Sequence, residues 1–180
     1  MADVRTTTLP DAETAPEAAL SPTHVAIRRE DYLPPDWLVP EIRLDFDLGT
    51  ERTRVRATLE VTRNGDHDRP LRLDGSELEL SSVKVDGQSA EFRMDGSQLV
   101  VELSGQRATV ETEVVIHPAA NTKLMGLYAS GGMLCTQCEA EGFRRITFFP
   151  DRPDVLSKYR VRMEGDAKAF PILLSNGNRV

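Results

Sequence analysis

The clearest structural signal in this sequence is the run IRLDFDLGTERTRVRATLEV, residues 42–61. Apolar and polar residues alternate on both sides of Gly49, as expected for strands that bury one face and expose the other. Asn64 and Gly65 follow the second half and mark its end. The run therefore predicts two strands, at residues 42–48 and 55–61, that pair antiparallel.

Short apolar runs continue as far as residue 118, separated by Asp-Gly steps. These dipeptides favour tight hairpin turns because glycine tolerates a positive φ. No window of this region has a helical period. The sequence therefore predicts an all-β fold, an antiparallel β-saddle or sandwich of many short strands. The further predicted strands lie at residues 71–73, 78–85, 91–94, 99–103, 110–116 and 159–163.

The start of the chain differs in character from the rest. Residues 1–23 contain three prolines, many alanines and threonines, and no periodic apolar face. Such a composition buries too little apolar surface to offset the entropy of ordering the chain. We therefore expect a disordered tail over residues 1–23 and a β-domain over residues 24–180.

Three later segments carry weaker signals. Residues 121–132 are rich in glycine and predict a loop, and the proline-flanked residues 150–154 predict a turn that is compatible with one helical turn at residues 153–157. The apolar residues 170–174 predict a strand that leads into Asn176 and Gly177, which favour a hairpin turn. Because no partner strand follows that turn, we expect the chain to be a fragment of a longer protein or to pair with another chain.

Composition limits the classes of function. The chain has 180 residues, two cysteines and a formal net charge of −7, which argues against nucleic acid or an anionic membrane surface as a partner. No apolar run is long enough to cross a bilayer, and no signal peptide is visible. Two cysteines do not make a disulfide framework, so we expect a cytoplasmic protein with reduced thiols.

The stretch CTQCEAEGFRR, residues 135–145, concentrates polar, ionisable and small residues. We predict a strand, because Thr and Cys are poor helix formers and Gly142 closes the run. On a strand, one face would carry two carboxylates and an amide that could surround an ammonium group, which has three donors and no acceptor. The alternative is a solvated sheet edge without a specific role. The side chains on that face would be Cys135, Gln137, Glu139 and Glu141.

Metal and redox chemistry are poorly supported by the same stretch. Cys135 and Cys138 could form half of a zinc site, but a second ligand pair is missing, and no βαβ pattern surrounds them as in redox proteins. We therefore expect free thiols and no metal bound by this chain. The motifs of zinc peptidases, serine hydrolases and P-loop enzymes are absent, so we predict no catalytic residue and no complete catalytic site.

The segments CTQCEAEGFR, residues 135–144, and DRPDVL, residues 151–156, closely resemble the N-terminal domain of bacterial M1 zinc aminopeptidases of the aminopeptidase N type. PAANT, GLY and LLSNGN, which begin at Pro118, Gly126 and Leu173, are similar to the same family. The resemblance covers roughly residues 25 to 180, and a central motif of this length is highly specific.

The resemblance implies a β-saddle that leans on a thermolysin-like catalytic domain, which binds zinc and hydrolyses the first peptide bond. By motif position, Gln137 and Glu139 would border the first substrate residue and hold its α-amino group. Glu141 receives no such role, and we expect it to pair with Arg144 or Arg145. The implied partners are the N-terminus of a peptide substrate and a catalytic domain supplied elsewhere, so these 180 residues alone are predicted to be inactive.

Two other functions are also compatible with the sequence. A stand-alone β-domain could bind peptide N-termini or a partner protein without hydrolysis. Alternatively, the domain could be a scaffold in which the face that carries Gln137 and Glu139 is only a surface.

Overall fold

The computed structural model describes residues 28–180. This part of the chain contains β-strands and short 3-10 helices but no α-helix. It divides into an N-terminal segment, described over residues 28–33 with a 3-10 helix at Arg29–Asp31, and a compact unit at Pro34–Val180. The predicted all-β fold is confirmed. The predicted disordered tail, residues 1–23, lies outside the described residues.

Eleven strands make up the regular structure of the compact unit, and two 3-10 helices, Pro118–Ala120 and Phe143–Arg145, lie between them. The alternating run at residues 42–61 forms the first two strands, which pair antiparallel as predicted. The first strand begins earlier than predicted, at Trp37, whose side chain is buried. In chain order the strands are β1 (Trp37–Leu48), β2 (Thr53–Arg63), β3 (Leu71–Asp74), β4 (Glu79–Val85), β5 (Gln88–Ser89), β6 (Arg93–Asp95), β7 (Gln98–Val101), β8 (Arg107–Ile116), β9 (Gly126–Ser130), β10 (Met133–Gln137) and β11 (Lys158–Gly165).

The strands form three sheets. The largest has the order β11-β1-β2-β8-β4-β5, and the smaller sheets have the orders β3-β7-β6 and β10-β9. Neighbouring strands are antiparallel, with the exception of β1 and β11, which run parallel. A parallel pair cannot be joined by a tight hairpin and needs a long connection. Here the connection between β1 and β11 contains the nine strands β2 to β10. The fold is therefore the predicted antiparallel one with a parallel strand added at one edge.

The apolar core is centred on β2 and its two neighbours. Ile42 of β1, Leu59 of β2 and Val110 of β8 lie side by side in register, and none of them is exposed. Leu73 and Leu99, from the three-stranded sheet, belong to the same buried cluster. Full burial of each such side chain contributes about 1.5–3 kcal/mol. This core supports the ends of β3 and β10, where the candidate site lies.

Two predictions of local structure are wrong, and a third is confirmed in part. The predicted loop at residues 121–132 contains β9, which pairs with β10. The turn predicted after Pro150 is present, with the Val155 N–H donating to the Arg152 carbonyl at 3.2 Å, but residues 153–157 form no helical turn. Residues 170–178 form no strand, since Pro171 lacks a backbone donor and the segment that follows it is exposed.

Candidate functional site

The polar stretch after β9 is a strand only in its first part. β10 ends at Gln137, so the predicted strand through Glu141 is wrong. The chain turns back at this point, because the Gly142 N–H donates to the Cys138 carbonyl at 2.7 Å and Glu141 has a φ of 62°. The 3-10 helix at Phe143–Arg145 follows directly. Of the residues that could bind a cation, Gln137 is therefore the last residue of β10, and Glu139 lies on the turn that follows it. We call residues 138–142 the site turn.

Gly142 makes this tight turn possible. A Cβ atom at this position would lie 2.6 Å from the Gln137 carbonyl oxygen and 2.9 Å from the Cys138 Cα atom. Both are backbone atoms, so no rotamer change could relieve the contact. In the strand prediction Gly142 only ended the run, whereas in the structure it allows the chain to fold back against the end of β10.

Gln137 and Glu139, the two predicted site residues, lie next to each other. The side-chain Nε2 of Gln137 donates to the Glu139 backbone carbonyl at 2.8 Å. Because the Glu139 carbonyl can only accept, Gln137 must use its NH2 group in this hydrogen bond. The Gln137 amide oxygen is therefore left available as an acceptor. The Glu139 side chain is exposed and forms no ion pair with any residue in the range 28–180. The site therefore presents an amide oxygen and an unneutralised carboxylate.

The arginines that follow the site turn pair with other carboxylates. Arg144 Nη2 lies 3.3 Å from Glu141 Oε1, which confirms the predicted ion pair of Glu141. Arg145 instead contacts Glu77 at 2.8 Å, and this hydrogen bond lowers the pKa of the Glu77 carboxyl group. Of the two carboxylates in the stretch, Glu141 is thus partly neutralised and Glu139 is not.

Asp151 is a further residue of the site that the sequence did not indicate as one. One of its carboxylate oxygens accepts hydrogen bonds from both the backbone N–H and the Nε of Arg144, each at 3.0 Å. The Asp151 N–H in turn donates to Asp74 Oδ2 at 3.1 Å, across 77 residues of sequence. No local sequence pattern reveals such a contact, because the two residues meet only through the tertiary fold.

An aromatic cluster lies beside the site turn. The ring of Phe143 makes edge-to-face contacts with Phe149 at 5.0 Å and with Tyr159 of β11 at 5.6 Å. Partial burial and the nearby Asp151 carboxylate raise the pKa of Tyr159. Burial and the Asp151 carboxylate also raise the pKa of the Cys138 thiol. Both groups therefore stay protonated at neutral pH.

The site does not fit a metal ion. Within the range that the structure describes, no three His, Cys, Asp or Glu side chains are grouped so that they could hold one. A cysteine binds zinc as the thiolate, and the raised pKa of the half-buried Cys138 thiol disfavours that form. The two cysteines do not lie on one strand, because Cys135 belongs to β10 and Cys138 lies beyond its end. No helix in residues 28–180 is long and apolar enough to cross a membrane.

Known proteins resemble this chain in sequence and in fold. The family model of the peptidase M1 N-terminal domain matches residues 38–180. Aminopeptidase N of Caulobacter vibrioides is 50% identical over 161 residues, which cover 88% of this chain and 18% of the relative. The crystal structure of Legionella pneumophila aminopeptidase A in complex with aspartic acid superposes with a TM-score of 0.77 at 30% identity, covering 82% of this chain and 18% of that one.

An M1 zinc metallopeptidase from Deinococcus radiodurans shares the fold at a TM-score of 0.63 and 19% identity, with 74% of this chain and 33% of that one covered. The family model places the similarity in the N-terminal domain of M1 peptidases. The chain belongs to the peptidase M1 N-terminal domain family. It spans about a fifth of the length of the aminopeptidase N that it matches.

Proposed function

We propose that this domain is part of a zinc aminopeptidase that releases N-terminal residues from peptides, and that Gln137 and Glu139 bind the α-ammonium group of the substrate. Family membership and the 50% identity to an aminopeptidase N support the activity. The observation that carries the site assignment is the exposed Glu139 carboxylate, which has no cationic partner in the described part of the chain and lies beside an amide oxygen held in place by its own N–H.

The chemistry of these groups fits an ammonium ion. The carboxylate and the amide oxygen are acceptors, and an ammonium group offers only donors. Charge-assisted hydrogen bonds of this kind are roughly twice as strong as neutral ones. An internal peptide bond has no ammonium group, so a site built this way selects the free N-terminus and thus makes the enzyme an exopeptidase.

Zinc and the groups that cleave the bond would belong to the catalytic domain, because the residues of this domain do not fit a zinc site. In zinc peptidases the metal supplies an activated water molecule. The part of this domain is to hold the substrate's N-terminus in position. The 180-residue chain alone is accordingly proposed to be inactive.

Blocking the substrate amine tests this function. We expect the complete protein to cleave an alanyl amide at least about 100-fold faster than its N-acetylated counterpart, since acetylation removes the charge that Glu139 would recognise. Steady-state kinetics with the two substrates measure the ratio, and a chelator control establishes whether hydrolysis needs a metal. Equal rates would contradict the exopeptidase assignment. Binding of peptide N-termini without any cleavage would favour a stand-alone binding domain.

The surface that would contact the catalytic domain lies at the β11 edge. In the parallel register, Tyr159 and Val161 are level with Ile42 and Leu44 of β1 and therefore share their apolar face. Ile42 and Leu44 are buried, whereas Tyr159 and Val161 are 49% and 43% exposed. The apolar face of the sheet is therefore buried at β1 but left partly exposed at β11. Tyr159 also belongs to the aromatic cluster beside the site turn. We propose that the catalytic domain covers this edge.

The Val161→Asp substitution tests that contact. If the catalytic domain covers Val161, the substitution buries an unpaired charge and destabilises the complete protein by more than about 2 kcal/mol. The matched control is Ser89→Asp, which adds the same charge on β5, at the opposite edge of the same sheet. Thermal or urea unfolding of the complete protein provides the measurement. Equal small effects of the two substitutions would show that the β11 edge is left uncovered.

A further inference from the structure

The side chain of Arg144 is partly buried and makes several hydrogen bonds. Its side chain is 25% exposed, and that of its partner Asp151 is 15% exposed. Two hydrogen bonds of 3.0 Å join Arg144 to Asp151 Oδ2, and Arg144 Nη2 also donates to the Asp151 backbone carbonyl at 2.9 Å. A guanidinium held at several points in this way is fixed in direction as well as in position.

The contacts continue from Asp151 into the sheet. The N–H of Asp151 donates to Asp74 Oδ2 at 3.1 Å, and the other Asp74 oxygen accepts from Gln98 Nε2 at 2.9 Å. Asp74 is the last residue of β3 and also forms an isolated backbone bridge with Phe149. We call Arg144, Asp151 and Asp74 the Arg144 network. It joins the segment directly after the site turn to the end of a strand.

The site turn is held by few hydrogen bonds of its own. The Gly142 N–H donates to the Cys138 carbonyl at 2.7 Å, Gln137 Nε2 donates to the Glu139 carbonyl at 2.8 Å, and the Arg145 N–H donates to the Gly142 carbonyl at 3.1 Å. Glu139 lies on the exposed side of the turn. The Arg144 carbonyl accepts from the Ser76 N–H at 2.8 Å, so the backbone of Arg144 is bonded directly to the segment that follows β3. The side chain of Arg144 is linked to the end of β3 through Asp151. The remaining guanidinium contact, to Glu141, pairs the other carboxylate of the turn.

We infer that Arg144, held by Asp151, is a positioning residue: it fixes the site turn so that the Glu139 carboxylate stays where it meets the substrate ammonium. This inference rests on the proposed role of Glu139. Arg144 does not itself contact the substrate. By pairing with Glu141 it also leaves Glu139 as the one carboxylate of the turn that is open to a cation.

A double-mutant cycle in the complete zinc-loaded enzyme tests the inference. We expect Arg144→Gln to raise KM for a free-amine alanyl amide by about tenfold, because a displacement of the turn on the order of 1 Å misplaces the carboxylate. In the Glu139→Ala background, the same substitution should change KM by less than about twofold, because the group that it positions is gone. Arg144→Lys keeps the charge but lacks the planar guanidinium with its several fixed donors, so its KM should lie between those of the wild type and Arg144→Gln.

The control is Arg54→Gln, which removes an exposed ion pair with Glu113 between β2 and β8, away from both the site turn and the β11 edge, and should leave KM unchanged. If Arg144→Gln does not fold, Asp151→Asn is measured in the same cycle, since it keeps an acceptor but weakens the network. An equal rise in KM with and without Glu139 would show a purely structural role and overturn the inference alone. Wild-type KM in Glu139→Ala would overturn the proposed function, and the inference with it.

Discussion

In the complete enzyme, Glu139→Ala is expected to lower kcat/KM for free-amine substrates by at least about 30-fold. Removing one partner of a desolvated, hydrogen-bonded charge pair costs about 2–5 kcal/mol, much of it from the charge left without a partner. Here the unpaired charge would be the substrate ammonium, which faces the Gln137 amide oxygen alone. Steady-state kinetics on an alanyl amide measure the loss, and the loss should be larger than that of Glu139→Gln, which keeps an acceptor.

Glu141→Ala is the matched control for this substitution, because it removes a carboxylate from the same turn. Glu141 is exposed and is already paired with Arg144 at 3.3 Å. An exposed pair of this kind contributes about 0–1 kcal/mol, so we expect less than about a fivefold change in kcat/KM. Equal losses of kcat/KM in the two variants would mean that Glu139 has no specific role in binding the substrate ammonium, and would contradict the site assignment.

The second large effect is expected from Gly142→Ala. The added methyl group would overlap the Gln137 carbonyl oxygen and the Cys138 Cα atom, so the site turn must move as a whole. Overpacking of this kind costs about 1–3 kcal/mol of stability. Displacement of Glu139 by about 1 Å would lower kcat/KM by as much as about 100-fold. Kinetics and urea unfolding of the same preparation measure the two effects.

Gly96→Ala separates this steric effect from the general cost of replacing glycine. Gly96 has a φ of 60° and open space around its Cα, in the hairpin between β6 and β7. Alanine there introduces backbone strain without a contact, so we expect a loss of about 1 kcal/mol in stability and unchanged kinetics. If Gly142→Ala retains wild-type kcat/KM, the position of the turn is not important for activity.

The sequence predicts the β-fold well where burial follows a period of two. The alternation in residues 42–61 is strong because one face of β1 and β2 meets the core, and the antiparallel pairing of the two strands is predicted from it. β9 was missed because its residues, Gly126–Ser130, carry a glycine and a short mixed pattern that also suits a loop. The parallel β11 was predicted as a strand, but its direction depends on a crossover that no local pattern encodes.

The candidate site was predicted in part. Gln137 and Glu139 are predicted from the motif, and the structure places them side by side, with Gln137 at the end of β10 and Glu139 on the turn that follows and not on the same strand face. A strand was a reasonable prediction because Cys, Thr and alternating polar residues all suit one; the steric role of Gly142 becomes visible only in three dimensions. Asp74 and Asp151 could not be linked to the site from sequence, since their contact spans 77 residues.

The most direct test of the central claim, that the Glu139 carboxylate binds the substrate ammonium, is a ligand-binding cycle. A competitive inhibitor with a free α-ammonium group and its counterpart without the amine are titrated into the wild-type enzyme and into Glu139→Ala. We expect the wild-type enzyme to prefer the amine by at least about 30-fold, and the variant to lose most of that preference while binding the amine-free ligand normally. A preference for the amine that is equally large in the variant would contradict the claim.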